Sequence, residues 1–129
     1  KGAIYSGCMT LLTEVGMSIQ DIEQIILAGG FGSYVDLEKA MTIGLLPEMD
    51  SNKVTFIGNG SLMGARMSSL TNRIRKDVVE VTKKMTNFEL SDTPSYMDNY
   101  VAALFLPHTD INQFPKLKAR FETRKKNHK

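Results

Sequence analysis

Twice in this chain a short apolar run ends directly in glycine. Ile25-Ile26-Leu27-Ala28 leads into Gly29-Gly30-Phe31-Gly32-Ser33, and Lys53-Val54-Thr55-Phe56-Ile57 leads into Gly58-Asn59-Gly60. Short, β-branched, apolar runs bounded by turn residues predict strands. Glycines placed straight after them allow positive φ and bring the backbone, free of side chains, to the edge of a sheet. The repeated order of strand, glycine loop and helix restricts the chain to an α/β plan with a short, mostly parallel sheet packed by helices.

The remaining elements fill in around the two strands. Ile4, Cys8, Leu11, Leu12 and Val15 share one face at helical spacing, and Gly16 stands where a left-handed C-terminal residue is expected. Ser18-Ile19-Gln20-Asp21 has the form of a capped turn. Asp36 is placed to cap a helix from Leu37 to about Thr42, ending near Gly44 and Pro47, and this role is preferred over metal ligation. From Ser61 one long helix is expected, with Met63, Met67, Leu70, Ile74, Val78, Val81 and Met85 forming a buried stripe. Phe88-Glu89-Leu90 reads as a short strand, and Tyr96 to Leu106 as a helix stopped by Pro107.

At 129 residues the chain fits one small domain. It has 42% hydrophobic and 23% charged residues, an ordinary globular balance. No secretory leader or membrane-length apolar run is visible, so a cytoplasmic location without a membrane partner is expected. One cysteine and two histidines cannot build a zinc site or an iron–sulfur cluster within this chain. Cys8 is expected as a small buried apolar residue, and His108 as a surface or capping residue. The chain starts on Lys1 inside a helical pattern, which reads as a cut from a longer polypeptide. Residues 116–129 hold seven Lys/Arg against the lone Glu122. They are expected as a disordered basic tail beside a folded region at 1–115, with nucleic acid excluded as a partner for want of interleaved aromatics.

The second loop, Gly58-Asn59-Gly60-Ser61-Leu62-Met63-Gly64, is one residue off the dinucleotide fingerprint. It also lacks the fingerprint's acidic residue at the end of a following strand, because Asp77 and Glu80 fall in the long helix pattern. A Walker-type phosphate loop is absent as well. What persists is a backbone surface suited to phosphate or nucleotide oxygens.

Three segments in order narrow the reading: Ile26-Leu27-Ala28-Gly29-Gly30-Phe31-Gly32-Ser33-Tyr34-Val35-Asp36, Ile43-Gly44-Leu45-Leu46-Pro47, and Gly58 through Met67. With Phe105-Leu106-Pro107-His108 they resemble the reductive activators of corrinoid proteins, within the actin, heat-shock chaperone and sugar kinase superfamily. The resemblance implies a fragment of an actin-like (ribonuclease H-like) ATPase lobe, with Gly29, Gly30, Phe31, Gly32, Ser33, Gly58 and Asn59 at the nucleotide. It also implies ATP with Mg in the full-length protein, and a [2Fe–2S] cluster in an N-terminal domain outside this chain. The implied partner is a corrinoid protein or corrinoid-dependent methyltransferase, and a homodimer is expected. No catalytic or metal-ligating residue can be carried over, since the superfamily's phosphate-binding hairpins have no counterpart here. The rival readings are a sugar or acyl kinase, a 2-hydroxyacyl-CoA dehydratase activator, or a docking and dimerisation module.

Overall fold

The computed structural model describes residues 1–30 and 32–127. Phe31 and the last two residues of the basic tail, His128 and Lys129, lie outside the described residues. The elements run α1 (Gly2–Glu14), β1 (Ile25–Ala28), α2 (Leu37–Thr42), β2 (Val54–Gly58), α3 (Gly60–Leu70), α4 (Asn72–Lys84), α5 (Pro94–Ala102) and α6 (Pro115–Asn127), joined by short 3-10 turns. The chain divides into two compact units: residues 1–23, 36–53 and 89–129 form the first, and 24–35 and 54–88 the second.

The first unit has its own core, in which Tyr5, Ala103, Phe114 and Leu117 pack with Met9 and Ile111. Tyr5 and Phe114 stack at 5.6 Å between ring centroids. Helix α1 forms as the spacing predicts, and Gly16 takes the positive φ of a left-handed terminus. Its buried face is a different one, however. Ile4, Leu11 and Val15 are exposed, while Tyr5, Ser6, Gly7 and Thr10 are buried. The small residues Gly2, Ser6 and Thr10 recur every fourth position and let α5 approach closely. A Cβ on Gly2 would already touch Tyr100 and Leu104 at 3.5 Å. Within this contact Asn99 donates to the buried Thr10 hydroxyl at 3.0 Å, an interhelical bond that an apolar stripe could not make. Cys8 is half-buried on the same helix, and burial pushes its thiol pKa up, as expected of an inert core cysteine.

Helix α5 begins earlier than the apolar pattern suggests, because Pro94 occupies the first turn, where its missing N–H costs nothing. It also ends earlier, at Ala102. The Thr109 N–H reaches back to the Ala102 carbonyl at 3.1 Å and folds the following residues against the helix end. The Leu106–Pro107 peptide is cis. Phe88–Leu90 is not a strand. Glu89 precedes a 3-10 turn at Leu90–Asp92, where its carboxylate accepts from Ser91 and its carbonyl from Thr93. These local bonds compete with any sheet ladder.

The expected disordered tail is helical as far as Asn127, and its first turn is part of the core. Glu48 accepts from the Lys116 and Leu117 amides at 2.7 and 2.9 Å, satisfying two N-terminal donors of α6. Lys116 also pairs with Asp50, and its bond holds the Asp50 carboxyl below the usual carboxylate range. The boundary expected at residue 115 therefore cuts through a packed element, since Leu117 is buried beside Phe114.

The second unit is a two-stranded parallel sheet with α3 and α4. The expected single helix from Ser61 is two. Thr71 is extended (φ −143°, ψ 139°), and its hydroxyl accepts the Ile74 amide at 3.1 Å, capping α4. Arg75 reaches back to the Ser68 carbonyl at 2.7 Å, so an acceptor at the end of α3 is also used. Nor is the stripe buried in this unit, for Met63, Met67, Leu70, Val78, Val81 and Met85 are all exposed.

Candidate functional site: two glycine loops at one sheet edge

β1 and β2 pair in parallel in the register Ile25↔Val54, Ile26↔Thr55 and Leu27↔Phe56. The next pair is Ala28↔Gly58, with an irregularity that sets one extra β2 residue against the Leu27–Ala28 step. Parallel pairing brings the carboxyl ends of both strands to the same edge, so the loops after them are neighbours. The Gly29 amide donates to the Gly58 carbonyl at 2.6 Å and ties the two loops together. Gly29 and Gly58 have φ of 100° and 63°, conformations that disfavour any side chain. A Cβ on Gly29, Gly30 or Gly58 would meet nothing within 4 Å. The backbone there faces open space rather than packed protein, and a ligand can approach it.

The residues read from the sequence divide into those with open space beside them and those used within the fold. Gly30 is exposed with space above it, whereas Gly32 packs against Leu27 and opens a 3-10 turn, Gly32–Tyr34, which includes Ser33. The Asn59 side chain has a job within the fold, accepting the Leu62 amide at 3.0 Å as the N-cap of α3. The next glycine, Gly60, is not singled out by the sequence reading, yet a Cβ there would press on Ile57 at 3.2 Å and Ala28 at 3.4 Å. It is the close-approach glycine that lets α3 start directly over both strand ends. The signal was its position, two residues past the strand. The Gly60 and Ser61 amides have no intrahelical acceptor, being in the first turn of α3. Together with the Gly30 amide they are the donors that could meet phosphate oxygens, and the positive end of α3 favours an anion. A phosphate-bearing ligand would thus be met there by backbone alone and from one side.

Asp36 caps α2 through the Lys39 amide at 3.1 Å and pairs with the Lys39 ammonium at 2.9 Å. The hydrogen bond from Lys39 holds its carboxyl low. Among the described residues no group of three or more His, Cys, Asp or Glu lies close enough together to hold a metal ion. His108 is a turn residue of the first unit. Its Nδ1 accepts the Asp110 amide at 3.0 Å, and its ring lies 5.5 Å from that of Tyr5. The first unit also holds a groove of about 390 Å³ lined by Leu37, Met41, Glu48, Asp50, Lys116 and Arg120. None of the sequence-predicted site residues lines it.

A parallel strand pair ending in adjoining glycine loops, with a helix starting over both, is an α/β arrangement. The family described as the C-terminal domain of RACo, the ASKHA domain, matches residues 1–118, and the chain belongs to it. It is similar to the corrinoid activation enzyme RamQ of Eubacterium limosum, 36% identical over 101 residues, which are 78% of this chain and 17% of that protein. It is also similar to the Co(II) methylated amine-specific corrinoid protein reductase of Methanosarcina barkeri, 39% identical over 85 residues, 66% of this chain and 16% of that one. Among solved structures, a reductive activator for corrinoid, iron-sulfur protein superposes with a TM-score of 0.83 at 44% identity, covering 89% of this chain and 18% of the other. The chain thus spans less than a fifth of the length of each of these relatives. No described helix is long and apolar enough to cross a membrane.

Proposed function

We propose that this chain is the C-terminal part of an ATP-dependent reductive activator that returns the cobalt of a cytoplasmic corrinoid protein or methyltransferase to Co(I). Family membership and the activities named for the relatives support the activator reading. The observation that carries the nucleotide part is the pair of glycine loops bonded to each other at one sheet edge, with open space over Gly29, Gly30 and Gly58. Gly30 and the first turn of α3 would line the nucleotide, while Gly29 and Asn59 hold the wall together through their internal bonds. ATP supplies the free energy for an otherwise uphill one-electron reduction. The Mg-binding acids and the [2Fe–2S] cluster belong to the rest of the full-length protein.

One wall leaves much of a ligand in water, so the isolated chain should bind ATP only at about millimolar concentration. An amide chemical-shift titration tests this. Saturable shifts at Gly30, Gly32, Gly58 and Gly60, lost in Gly30→Asp, are expected. Unperturbed loops would sink the nucleotide assignment, and low-micromolar binding would mean that the pocket is already complete. For the activator reading, a C-x₄-C-x₂-C cluster motif upstream in the same reading frame is expected, and its absence would favour a kinase. The exposed stripes of α1 and of α3–α4 are the surfaces on which the chain would form a homodimer. Light scattering at tens of micromolar should then give more than the monomer mass.

A further inference from the structure

Lys1 sends its side chain to the far end of α5. Its ammonium donates to three backbone carbonyls there: those of Phe105 and Pro107, each at 2.6 Å, and that of Ala103. Three N–H donors meet three acceptors, which is the full capacity of an ammonium group. Among the described residues Lys1 has no carboxylate partner. Its charge is met instead by carbonyl dipoles and by the negative end of α5, which closes at Ala102.

The acceptors come from residues 103, 105 and 107, whose oxygens the turn brings together at one ammonium. Two further contacts meet this turn from other sides. Gly44, at φ 71°, lies so close that an added Cβ would stand 3.0 Å from the Pro107 carbonyl carbon and 3.1 Å from its Cα. The Thr109 amide returns to Ala102. The cradle is therefore a built feature of the backbone, held from behind by Gly44 and closed at the base by Thr109.

We infer that the Ala103–Pro107 turn is a binding site for a primary ammonium ion, filled by the chain's own Lys1, and that this occupancy positions the Phe105-Leu106-Pro107-His108 segment. Lys1 is a positioning residue, acting through the carbonyls it gathers. Leu104, Phe105 and Leu106 are exposed at 57, 59 and 73%. Apolar burial therefore does little to hold them, and the ammonium takes that part. A guanidinium is a poor substitute, because its planar fork cannot point three donors at a cone of oxygens.

The test uses the whole chain. In the wild type the Lys1 ammonium protons should give a slowly exchanging ¹⁵Nζ signal with couplings to carbonyl carbons of 103, 105 and 107, unlike the exchange-broadened surface lysines. In Lys1→Ala, hydrogen exchange at residues 104–109 should accelerate at least tenfold, with the second unit unchanged. n-Propylammonium, the fragment deleted, should restore protection where tetramethylammonium, which has no N–H, does not. An Nζ signal indistinguishable from surface lysines would overturn the assignment. So would rescue by both cations alike, or wild-type protection in Lys1→Ala. Should Lys1→Ala fail to fold, the wild-type Nζ measurement decides alone.

Discussion

The two units of this chain use apolar residues in opposite ways. In the first, Tyr5, Ala103, Phe114 and Leu117 are buried against one another, with Phe114 fully enclosed. In the second, the residues at helical spacing on α3 and α4 are exposed apart from the half-buried Ile74, and among the described residues Val54 is the one large apolar side chain buried there. A regular apolar period thus marks a face that needs cover, without saying that this chain supplies the cover. In the first unit small residues and a hydrogen bond decide which face packs. In the second, backbone geometry at the glycines is settled while the helices lack a buried side.

The largest effect should come from cutting into the closed core. Phe114→Ala removes a fully buried ring and should cost about 3–5 kcal/mol of unfolding free energy. Leu70→Ala and Val81→Ala on the open stripe should each change it by less than about 0.5 kcal/mol in dilute solution, where the chain is monomeric. Denaturant melts of the three variants check this. If the stripe variants lose as much as Phe114→Ala, or if their cost grows with protein concentration, the stripe is covered in solution.

The glycines sharpen the same contrast. Gly44→Ala would combine a positive φ with a backbone collision at Pro107, and should cost about 2–3 kcal/mol or more. Gly58→Ala carries the conformational penalty alone, about 1 kcal/mol, because nothing stands near its Cβ. Equal losses in thermal melts would mean that the second loop is as crowded as the first unit.

Tyr5 gives the first unit a pH signature. Burial, followed by the charges of Asp110 and Cys8, raises its phenol pKa to about 12 from an ordinary value near 10. The folded state therefore holds this proton more tightly than the unfolded chain does. The associated stability is fully present below pH 10 and is lost as pH rises from 10 to 12. After allowance for solvent screening the loss is on the order of 1–2 kcal/mol. The difference between wild type and Tyr5→Phe across that range isolates it from the lysines. A constant difference would show that the phenol ionises freely.

Much of the local structure was legible from residue chemistry. β1 (Ile25–Ala28), the cap at Asp36, α2 and the glycines at 16 and 44 stand where the sequence puts them, and β2 is displaced by one residue. These features depend on neighbours within four or five positions, as did the adjoining glycine loops once the strands were read as parallel. The rest depends on contacts distant in sequence. Nothing local announces that Thr10 will meet Asn99, that Glu48 will cap α6, or that Lys1 will find three carbonyls a hundred residues away. Gly2, Ser6 and Thr10 did carry a readable small-residue period, outweighed by the more conspicuous Ile4, Leu11 and Val15.

The smallest effect concerns the break between α3 and α4, which the apolar period concealed. Periodicity in side-chain type survives a short interruption, because one extended residue between two helices need not disturb the spacing on either side. The evidence for a break was polar: Thr71 followed by Asn72, with Ile74 placed to donate its amide to the threonine hydroxyl. Thr71→Ala deletes that cap and substitutes a better helix former, so two terms oppose each other. Losing the cap costs about 1 kcal/mol, while the propensity gain is about 0.5 kcal/mol and counts only if the backbone becomes helical at that position. Arg75, bonded to the Ser68 carbonyl, resists that change. The expected result is roughly a fivefold faster exchange of the Ile74 amide, with global stability nearly unchanged. Slower exchange, together with new protection at residues 71 and 72, would mean that α3 and α4 have fused and that the apolar stripe is more continuous than the native break allows.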